Sequence, residues 1–430
     1  LQDNFAANGC TKSYNHPPGM SNKSSGNFSF YFMHFQSDIC VVGNGAIGKV
    51  AALAFAQAGQ SVTLLAPVAQ SVKDVLAAEA SWDVRVFALN HVAHQLLSSL
   101  RVWDAMDFGR IATVDAMEVT GDGVQGAGYL TFDAYGARTS ALAWIVEDSN
   151  LNQALDAALR FASNVKLVNA RATRLRLDET SANVELDNGD TLGASLLVGA
   201  DGGQSWIRGQ CDIGLDYRPY GQRGVVTNFE CEKPHRGVAH QWFTSHEGII
   251  ALLPLPGQRV SLVWSAPDAL SDTLLHMPLD ELAQRVSQFC SDSLGQLHPI
   301  YPQCVKAFPL ILLRPHAITG TRVAFVGDAA HVVHPLAGHG MNLGFADVAA
   351  LLKQVVERES YRDCGDARIL SRYARARKEE ILLMQMATDG LERLFAAEFE
   401  PIRFVRNVGM SMLNNLPFIK RRLISHALGK

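Results

Sequence analysis

Three short apolar runs in this chain, residues 39–42, 196–200 and 323–326, each stop at glycine or aspartate. A short continuous apolar run bounded by turn-forming residues is typical of a strand buried on both faces. Glycine after such a strand permits a tight turn and close backbone approach, and aspartate offers hydrogen-bond acceptors. The pattern therefore predicts three buried strands that end in polar or glycine-rich segments suited to binding a ligand.

The first run opens a strand–helix–strand pattern. Segment 43–48 has the form G-x-G-x-x-G, small residues 50–58 indicate a helix closed by Gly59, and residues 62–65 indicate the next strand. In a dinucleotide-binding unit of this kind the helix N-terminus faces a pyrophosphate; the alternative is a tight turn without a ligand. Such a unit normally ends in an acid that binds ribose, but Ala66 stands there. The candidate binding residues are Gly43, Asn44, Gly45, Ala46, Ile47 and Gly48.

The third run continues into a loop of proline and glycine and then an apolar helix that ends near Val356. Asp328 can accept hydrogen bonds from sugar-like hydroxyl groups, and the glycine N–H groups and helix start favour an anionic ligand. The alternative is an ordinary strand–loop–helix with a capping aspartate. The candidate residues here are Gly327, Asp328, Pro335, Gly338, Gly340, Met341 and Asn342.

Alternating apolar and polar positions dominate the middle of the chain. Segments 224–229, 239–243, 249–253 and 260–265 predict a sheet with one solvated and one buried face. Segments 117–119 and 129–132 predict antiparallel strands, and the sequence at 187–190 predicts a hairpin turn. Residues 279–289, 369–386 and 391–399 have helical patterns.

Composition narrows the function classes. The chain has 430 residues, 48% of them hydrophobic, and a formal net charge of -4, which gives no sign of nucleic-acid binding. Seven scattered cysteines argue against a disulfide framework or a zinc site and indicate a reducing, cytoplasmic compartment. His331, His334 and His339 have loosely ligand-like spacing, but no carboxylate or cysteine completes a set, so we predict no metal. No apolar run reaches the roughly 18 residues that span a bilayer.

The two ends of the chain differ from the rest. Residues 1–36 are rich in Asn, Ser and Gly without periodic apolar positions, and we expect an unstructured leader, native or added. Residues 403–430 interleave basic and apolar residues and contain no acid. Two interpretations of this tail stay open: contact with an anionic membrane or a partner, and a helix packed on the core.

The third run and its loop also carry a resemblance. Gly327-Asp328-Ala329-Ala330-His331, His334-Pro335 and Gly338-x-Gly340-Met341-Asn342 resemble the second flavin-binding motif of the single-component FAD-dependent aromatic hydroxylases, most of all the ubiquinone-biosynthesis branch. The resemblance covers about residues 38–400 and implies FAD as cofactor with NAD(P)H and O2 as co-substrates. It implies flavin or nucleotide contacts for Asp328, Arg85, Gln153, Asp201 and Gly202.

The implied fold is α/β. It consists of a Rossmann-like FAD-binding domain of the p-hydroxybenzoate hydroxylase type, an interleaved antiparallel sheet that binds substrate, and a helical C-terminus. We expect the leader at 1–36, the FAD-binding domain at 37–111, 142–212 and 314–360, the substrate domain at 112–141 and 213–313, and C-terminal helices at 361–430.

The implied reaction is hydroxylation of a polyprenylated phenol in ubiquinone biosynthesis through a C4a-hydroperoxyflavin. The resemblance does not identify a catalytic acid or base. Pro335, Gly338 and Gly340 are expected to shape the site at which oxygen reacts. A ubiquinone-biosynthesis complex and the surface of the inner membrane are candidate partners. Two alternatives stay open: a flavin enzyme of another class, such as a prenyl reductase or a soluble-phenol hydroxylase, and a non-catalytic scaffold subunit, which Ala66 would allow.

Overall fold

The computed structural model describes residues 34–67, 82–122, 128–301, 305–334 and 339–396. The strands in these ranges are β1 (His34–Val42), β2 (Val62–Ala66), β3 (Val86–Leu89), β4 (Ile111–Val114), β5 (Ala116–Gly121), β6 (Tyr129–Asp133), β7 (Ala143–Glu147), β8 (Val165–Asn169), β9 (Ala172–Leu177), β10 (Ala182–Leu186), β11 (Thr191–Gly199), β12 (Leu215–Cys231), β13 (Val238–Thr244), β14 (Gly248–Leu255), β15 (Arg259–Pro267), β16 (Leu297–Pro299), β17 (Lys306–Pro315), β18 (Thr319–Gly320) and β19 (Val323–Phe325). The helices are α1 (Ala46–Gln57), α2 (His91–Ser99), α3 (Asp148–Phe161), α4 (Trp206–Gln210), α5 (Asp268–His276), α6 (Leu279–Leu294), α7 (His339–Val356) and α8 (Ala367–Ala396).

The first sheet has the strand order β18-β19-β11-β1-β2-β8, with β10 and β9 extending from β11. Strands β19, β11, β1, β2 and β8 run parallel, which requires crossover connections such as α1 between β1 and β2. Helices α1, α2, α3, α7 and α8 cover one face, and the β9–β10 hairpin and α4 cover the other. Because both faces are covered, the central strands are continuously apolar, as the three runs in the sequence indicated.

The second sheet has the order β16-β12-β15-β14-β13-β5-β6, with β17 also paired to β12. The prediction that one of its faces is solvated is wrong for β12. In β12, Val226 and Asn228 on one face are as buried as Val225 and Thr227 on the other. Helix α6 covers one face, and the third sheet, β3-β7-β4, packs against part of the other.

The predicted turns and pairings around these sheets are confirmed. Strands β5 and β6 pair in antiparallel fashion, and the turn at 187–190 joins the antiparallel strands β10 and β11. Gly189 adopts a φ of 87°, a left-handed conformation that glycine enters without strain. Each of these pairings is local, so the sequence pattern on either side of the turn is enough to predict it.

Two predicted boundaries need correction. Strand β1 begins at His34, inside the segment expected to be an unstructured leader. Helix α8 continues from Ala367 to Ala396, where the sequence indicated a break before residue 391. The helical turn that contains Asp389 is held by contacts with the second sheet. Asp389 pairs with Arg218 and accepts a hydrogen bond from Tyr220. The predicted C-terminal tail lies outside the described residues. Within the described residues, none of the helices combines the length and apolarity that a bilayer crossing requires.

Candidate active site

The segments that follow three adjacent parallel strands meet at one edge of the first sheet. Val42 of β1 is paired with Gly199 of β11, and Gly199 is paired with Phe325 of β19. Hydrogen bonds continue past the strand ends, from Ala200 N to Val42 O at 2.8 Å and from Val326 N to Gly199 O at 3.0 Å. The G-x-G-x-x-G segment, Asp201-Gly202 and Gly327-Asp328 therefore leave the sheet side by side, although 285 residues separate Gly43 from Asp328.

Two glycines of the first segment are required by close backbone contacts. Gly43 has a φ of +113°, and a Cβ there would lie 2.3 Å from the carbonyl oxygen of Ala200. A Cβ on Gly48 would lie 1.9 Å from the carbonyl oxygen of Gly43. Substitution of either residue would therefore push apart the turn and its neighbouring strand.

Gly45 differs because a Cβ there would meet nothing within 4 Å. It is the N-cap residue of α1, and no side chain of the described residues caps that helix start. The first N–H groups of α1 thus lack a side-chain acceptor there and carry the partial positive charge of a helix N-terminus. An anionic group such as a pyrophosphate fits this arrangement.

Ile47 joins the first segment to the third. Its side chain lies where a Cβ on Gly327 or Gly344 would have to go, at 3.3 Å and 2.9 Å respectively. The start of α1 therefore packs directly against the Gly327 turn and α7. Within the candidate set, Ile47 holds protein segments together, whereas Gly45 faces open space.

Asp328 is exposed to solvent, and it makes no hydrogen bond with any described residue. We call the recess around it, at the shared edge of β1, β11 and β19, the Asp328 cleft. Surrounding protein raises the pKa of Asp328, while the nearby charges of His331 and Arg85 act in the opposite direction. A carboxylate that solvent can reach, but that protein surrounds closely, is available to accept hydrogen bonds from a ligand.

The two carboxylate oxygens of Asp201 differ in their surroundings. Its Oδ2 accepts a hydrogen bond at 3.1 Å from the N–H of Ile207, in the first turn of α4, whose N-cap residue is Ser205. Its Oδ1 is buried and has no partner among the described residues. Gly202 next to it has a φ of +84° and open space beside it. A buried acceptor without a partner is costly, and a ligand hydroxyl or N–H group would satisfy it.

Arg85 and Gln153, for which the resemblance implies cofactor contacts, lie in different surroundings. Arg85 is 55% exposed, lies 3.7 Å from Asp148 and extends over the rings of Phe87 and Phe308. Its charge acts on Asp328, so Arg85 lies at the cleft. Gln153 is exposed on α3 and makes no hydrogen bond with a described residue, so no hydrogen bond joins it to the other candidates.

The glycine loop is shorter than predicted, because α7 begins at His339 and contains Gly340, Met341 and Asn342 in its first turn. Asn342 accepts a hydrogen bond from Asn90 N at 2.9 Å and donates one to Ala88 O at 2.8 Å. Asn342 thereby joins α7 to the end of β3. Pro335 and Gly338 lie outside the described residues.

Sequence reasoning missed the residues that anchor the Gly327 turn. Asp347, fully buried in α7, accepts hydrogen bonds from Gly327 N at 2.9 Å and Arg377 Nε at 2.7 Å, and its Oδ2 lies 2.6 Å from His331 Nε2. Burial alone would raise the pKa of Asp347, but the attraction of His331 and Arg377 holds it below its ordinary value. A lone acid inside an apolar helix pattern was the available signal. Arg377 gave none, since it lies among other basic residues of α8.

The same segment connects the first sheet to the second. Val332 and Leu313 of β17 exchange hydrogen bonds, at 3.1 Å and 3.0 Å. His334 Nε2 lies 3.3 Å from Gln222 Oε1, and its ring stands edge-on to Tyr220. Burial lowers the pKa of His334 to about 4, so this imidazole is neutral at neutral pH. The second sheet is thus held against the Asp328 cleft.

The fold and the convergent strand ends define a flavoprotein. Residues 36–385 match the family described as the FAD binding domain, and the chain belongs to this family. Its cofactor is FAD, with NAD(P)H as the co-substrate typical of the family. The chain is an FAD-dependent monooxygenase, as the resemblance in its sequence implied.

Particular relatives agree with this class. The chain is 33% identical over 395 residues to ubiquinone hydroxylase UbiL of Rhodospirillum rubrum, covering 91% of this chain and 90% of the relative. It is 32% identical over 397 residues to 3-demethoxyubiquinol 3-hydroxylase of Escherichia coli, covering 91% and 98%. Klebsiella pneumoniae HpxO, whose crystal structure is a complex with FAD and uric acid, has a similar fold with a TM-score of 0.69, 17% identity and coverage of 91% and 97%. The expected α/β fold class is confirmed.

Proposed function

We propose that this flavoprotein hydroxylates the aromatic ring of a polyprenylated phenol in ubiquinone biosynthesis, using NAD(P)H and O2. Relatives named as ubiquinone hydroxylases match it over nine-tenths or more of their own length, which supports the pathway. The single observation that carries the proposal is the meeting of three strand ends at one cleft beside an apolar sheet. A small polar cofactor site next to a larger apolar wall suits a substrate with a reactive ring and a greasy tail.

We assign the FAD contacts from what each group can bind. Gly45 and the uncapped start of α1 would hold the pyrophosphate, and Asp328 would accept hydrogen bonds from the ribityl hydroxyls. The free oxygen of Asp201 would accept a further hydrogen bond, and the guanidinium of Arg85 would add positive charge near the flavin. When bound and reduced, the flavin supplies the activation of O2, and one oxygen atom passes to the ring.

The remaining chain positions the ring and excludes water. Phe308 lies under the guanidinium of Arg85 and is paired with Gly224, so the face of β12 that carries Gly224 and Val226 is directed towards the cleft. We propose that this face forms the substrate wall. We further propose the domain division predicted above, with the first sheet in the FAD-binding domain and the second in the substrate domain.

The direct test is turnover with an identified product. The purified, FAD-loaded protein is mixed with NADH or NADPH, O2 and a short-chain prenylated phenol, and products are identified by mass spectrometry. We expect one ring hydroxylation for each NAD(P)H oxidised. Oxidation of NAD(P)H that yields only hydrogen peroxide, or a product with a reduced prenyl chain, would contradict the proposal.

The cofactor assignment has its own test. Asp328→Asn keeps the shape of the side chain but weakens its acceptor capacity, so FAD should dissociate more readily while the unfolding temperature of the apoprotein stays the same. Asp272→Asn, at an exposed position, is the matched control and should bind FAD like the wild type. Equal FAD affinity in the wild type and the Asp328 variant would remove Asp328 from the site.

A further inference from the structure

Gln241 on β13 is a largely buried polar residue, with only 5% of it exposed. No hydrogen bond joins its amide to any described residue, and neither of its amide atoms is fully enclosed by protein. An amide has two donors and an acceptor, and leaving them without partners costs stability. The amide is therefore placed to take a hydrogen bond from water or a ligand.

The register of the second sheet shows what surrounds Gln241. Across the strands it lies in one row with Val119, Ala251, Val263 and Val226, all of them apolar. This row is on the face that is directed towards the Asp328 cleft, because it contains Val226. Gln241 is therefore a polar side chain among four apolar neighbours, and the exposed Lys306 of β17 follows Val226 at the far edge of the row.

The cleft-facing side of the row is open at its centre. Ala251 and Val263 are partly exposed, although they lie in the middle of central strands. Their neighbours on the opposite face, Ile250, Leu252 and Leu262, are completely buried under α6. The open space over the row thus adjoins the amide of Gln241 and lies on the side of the flavin site.

We propose that Gln241 forms a hydrogen bond with the ring oxygen of the substrate and thereby selects a phenol whose remaining surface is apolar. This inference rests on the proposed function and adds the residue that recognises the ring. An apolar row offers the amide no competing partner, so the phenolic hydroxyl supplies the hydrogen bond that the protein lacks. A hydrocarbon of the same shape would leave the amide unsatisfied, and the site would therefore discriminate against it.

Binding of two matched ligands to the FAD-loaded protein tests the inference without turnover. The ligands are ortho-prenylphenol and prenylbenzene, which differ by one oxygen, and binding is followed through the change in flavin absorbance. We expect the wild type to bind the phenol about tenfold more tightly, in keeping with one neutral hydrogen bond. Gln241→Leu should bind both ligands equally, with its affinity for FAD unchanged.

Gln284→Leu is the matched control, because Gln284 is exposed on the helix that covers the opposite face. It should keep the wild-type preference. Should the leucine variant fail to take up FAD, Gln241→Met, which is closer to glutamine in shape, replaces it. A Gln241 variant that still prefers the phenol would overturn the inference and leave the proposed function standing. A wild type that binds neither ligand would overturn both.

Discussion

Asp347 offers the sharpest test of how the flavin-motif turn is held. Three donors converge on its carboxylate, from Gly327, His331 and Arg377, and all of them are buried. Asp347→Asn preserves volume, so no cavity forms, but the amide has one acceptor oxygen and a donor group in place of the second. At least one of the three donors must then face another donor.

The expected loss follows from this geometry. Removing one member of a buried ion pair costs about 3–5 kcal/mol, because it leaves an uncompensated charge. Arg377 also pairs with Glu380, which is 44% exposed and compensates part of that charge. We therefore expect the lower end, about 3 kcal/mol. FAD affinity should fall as well, since the Gly327 N–H loses its charged acceptor and the turn that carries Asp328 loosens.

Urea unfolding of the apoprotein, followed by tryptophan fluorescence, measures the free energy of unfolding, and titration with FAD measures the affinity. Asp272→Asn is the control: its ion pair with Arg223 is exposed, so a far smaller loss than for Asp347→Asn is expected. Replacing both Asp347 by Leu and Arg377 by Met should recover part of the loss, because neither buried charge of the pair remains and Glu380, which loses Arg377, is 44% exposed. A loss below about 1 kcal/mol for Asp347→Asn would refute the buried-pair reasoning.

The pH dependence of this contribution has a definite sign. The pKa of Asp347 is lower in the folded protein than its ordinary value of 3.8, so its charge stabilises the fold at neutral pH. That contribution is complete above the ordinary pKa and is lost as pH falls through the lowered pKa. Stability near neutral pH should therefore not vary on account of Asp347.

Three further predictions concern other parts of the molecule. Gly43→Ala should unfold at a lower temperature than the wild type, because its Cβ meets Ala200 O. Gly45→Ala should fold normally but bind FAD less tightly, because its methyl group occupies the space left for the pyrophosphate. The pKa of His334 is lowered from 6.5 to about 4, so the unfolded chain takes up a proton before the folded protein does. The free energy of unfolding should therefore fall by up to about 3 kcal/mol as pH drops from 6.5 towards 4. His334→Asn should remove this pH dependence. Tyr373→Phe removes a buried hydroxyl that donates to a strand carbonyl at 2.7 Å and should cost about 1 kcal/mol.

The measurements for these predictions are thermal and urea unfolding at several pH values and FAD titration. Equal unfolding temperatures for the two glycine variants would show that the contact with Ala200 is not required. An unchanged pH slope in His334→Asn would mean that another group titrates there. Wild-type stability in Tyr373→Phe would mean that water replaces the hydroxyl.

Much of the site was predictable because its signals are local. The runs at 39–42, 196–200 and 323–326 are recognisable as buried strands from a few consecutive residues, and the glycines and aspartates after them indicate tight turns and acceptors. Helix α1, which contains Gly48, and the hairpin at 187–190 follow from the same short-range patterns. Local patterns also explain the wrong predictions. The start of α7 and the continuity of α8 depend on contacts with residues elsewhere in the chain, which a local pattern does not contain.

What the sequence by itself determined was therefore the kind of strand ends this chain has and the kind of ligand they suit. Only the tertiary structure decided that β1, β11 and β19 are neighbours, that Asp347 and Arg377 share one buried site, and that Gln241 lies in an apolar row open to the cleft. The physical reason is range. A turn or a strand is specified by adjacent residues, whereas pairing and burial join residues far apart in the chain and emerge only when the sheets pack.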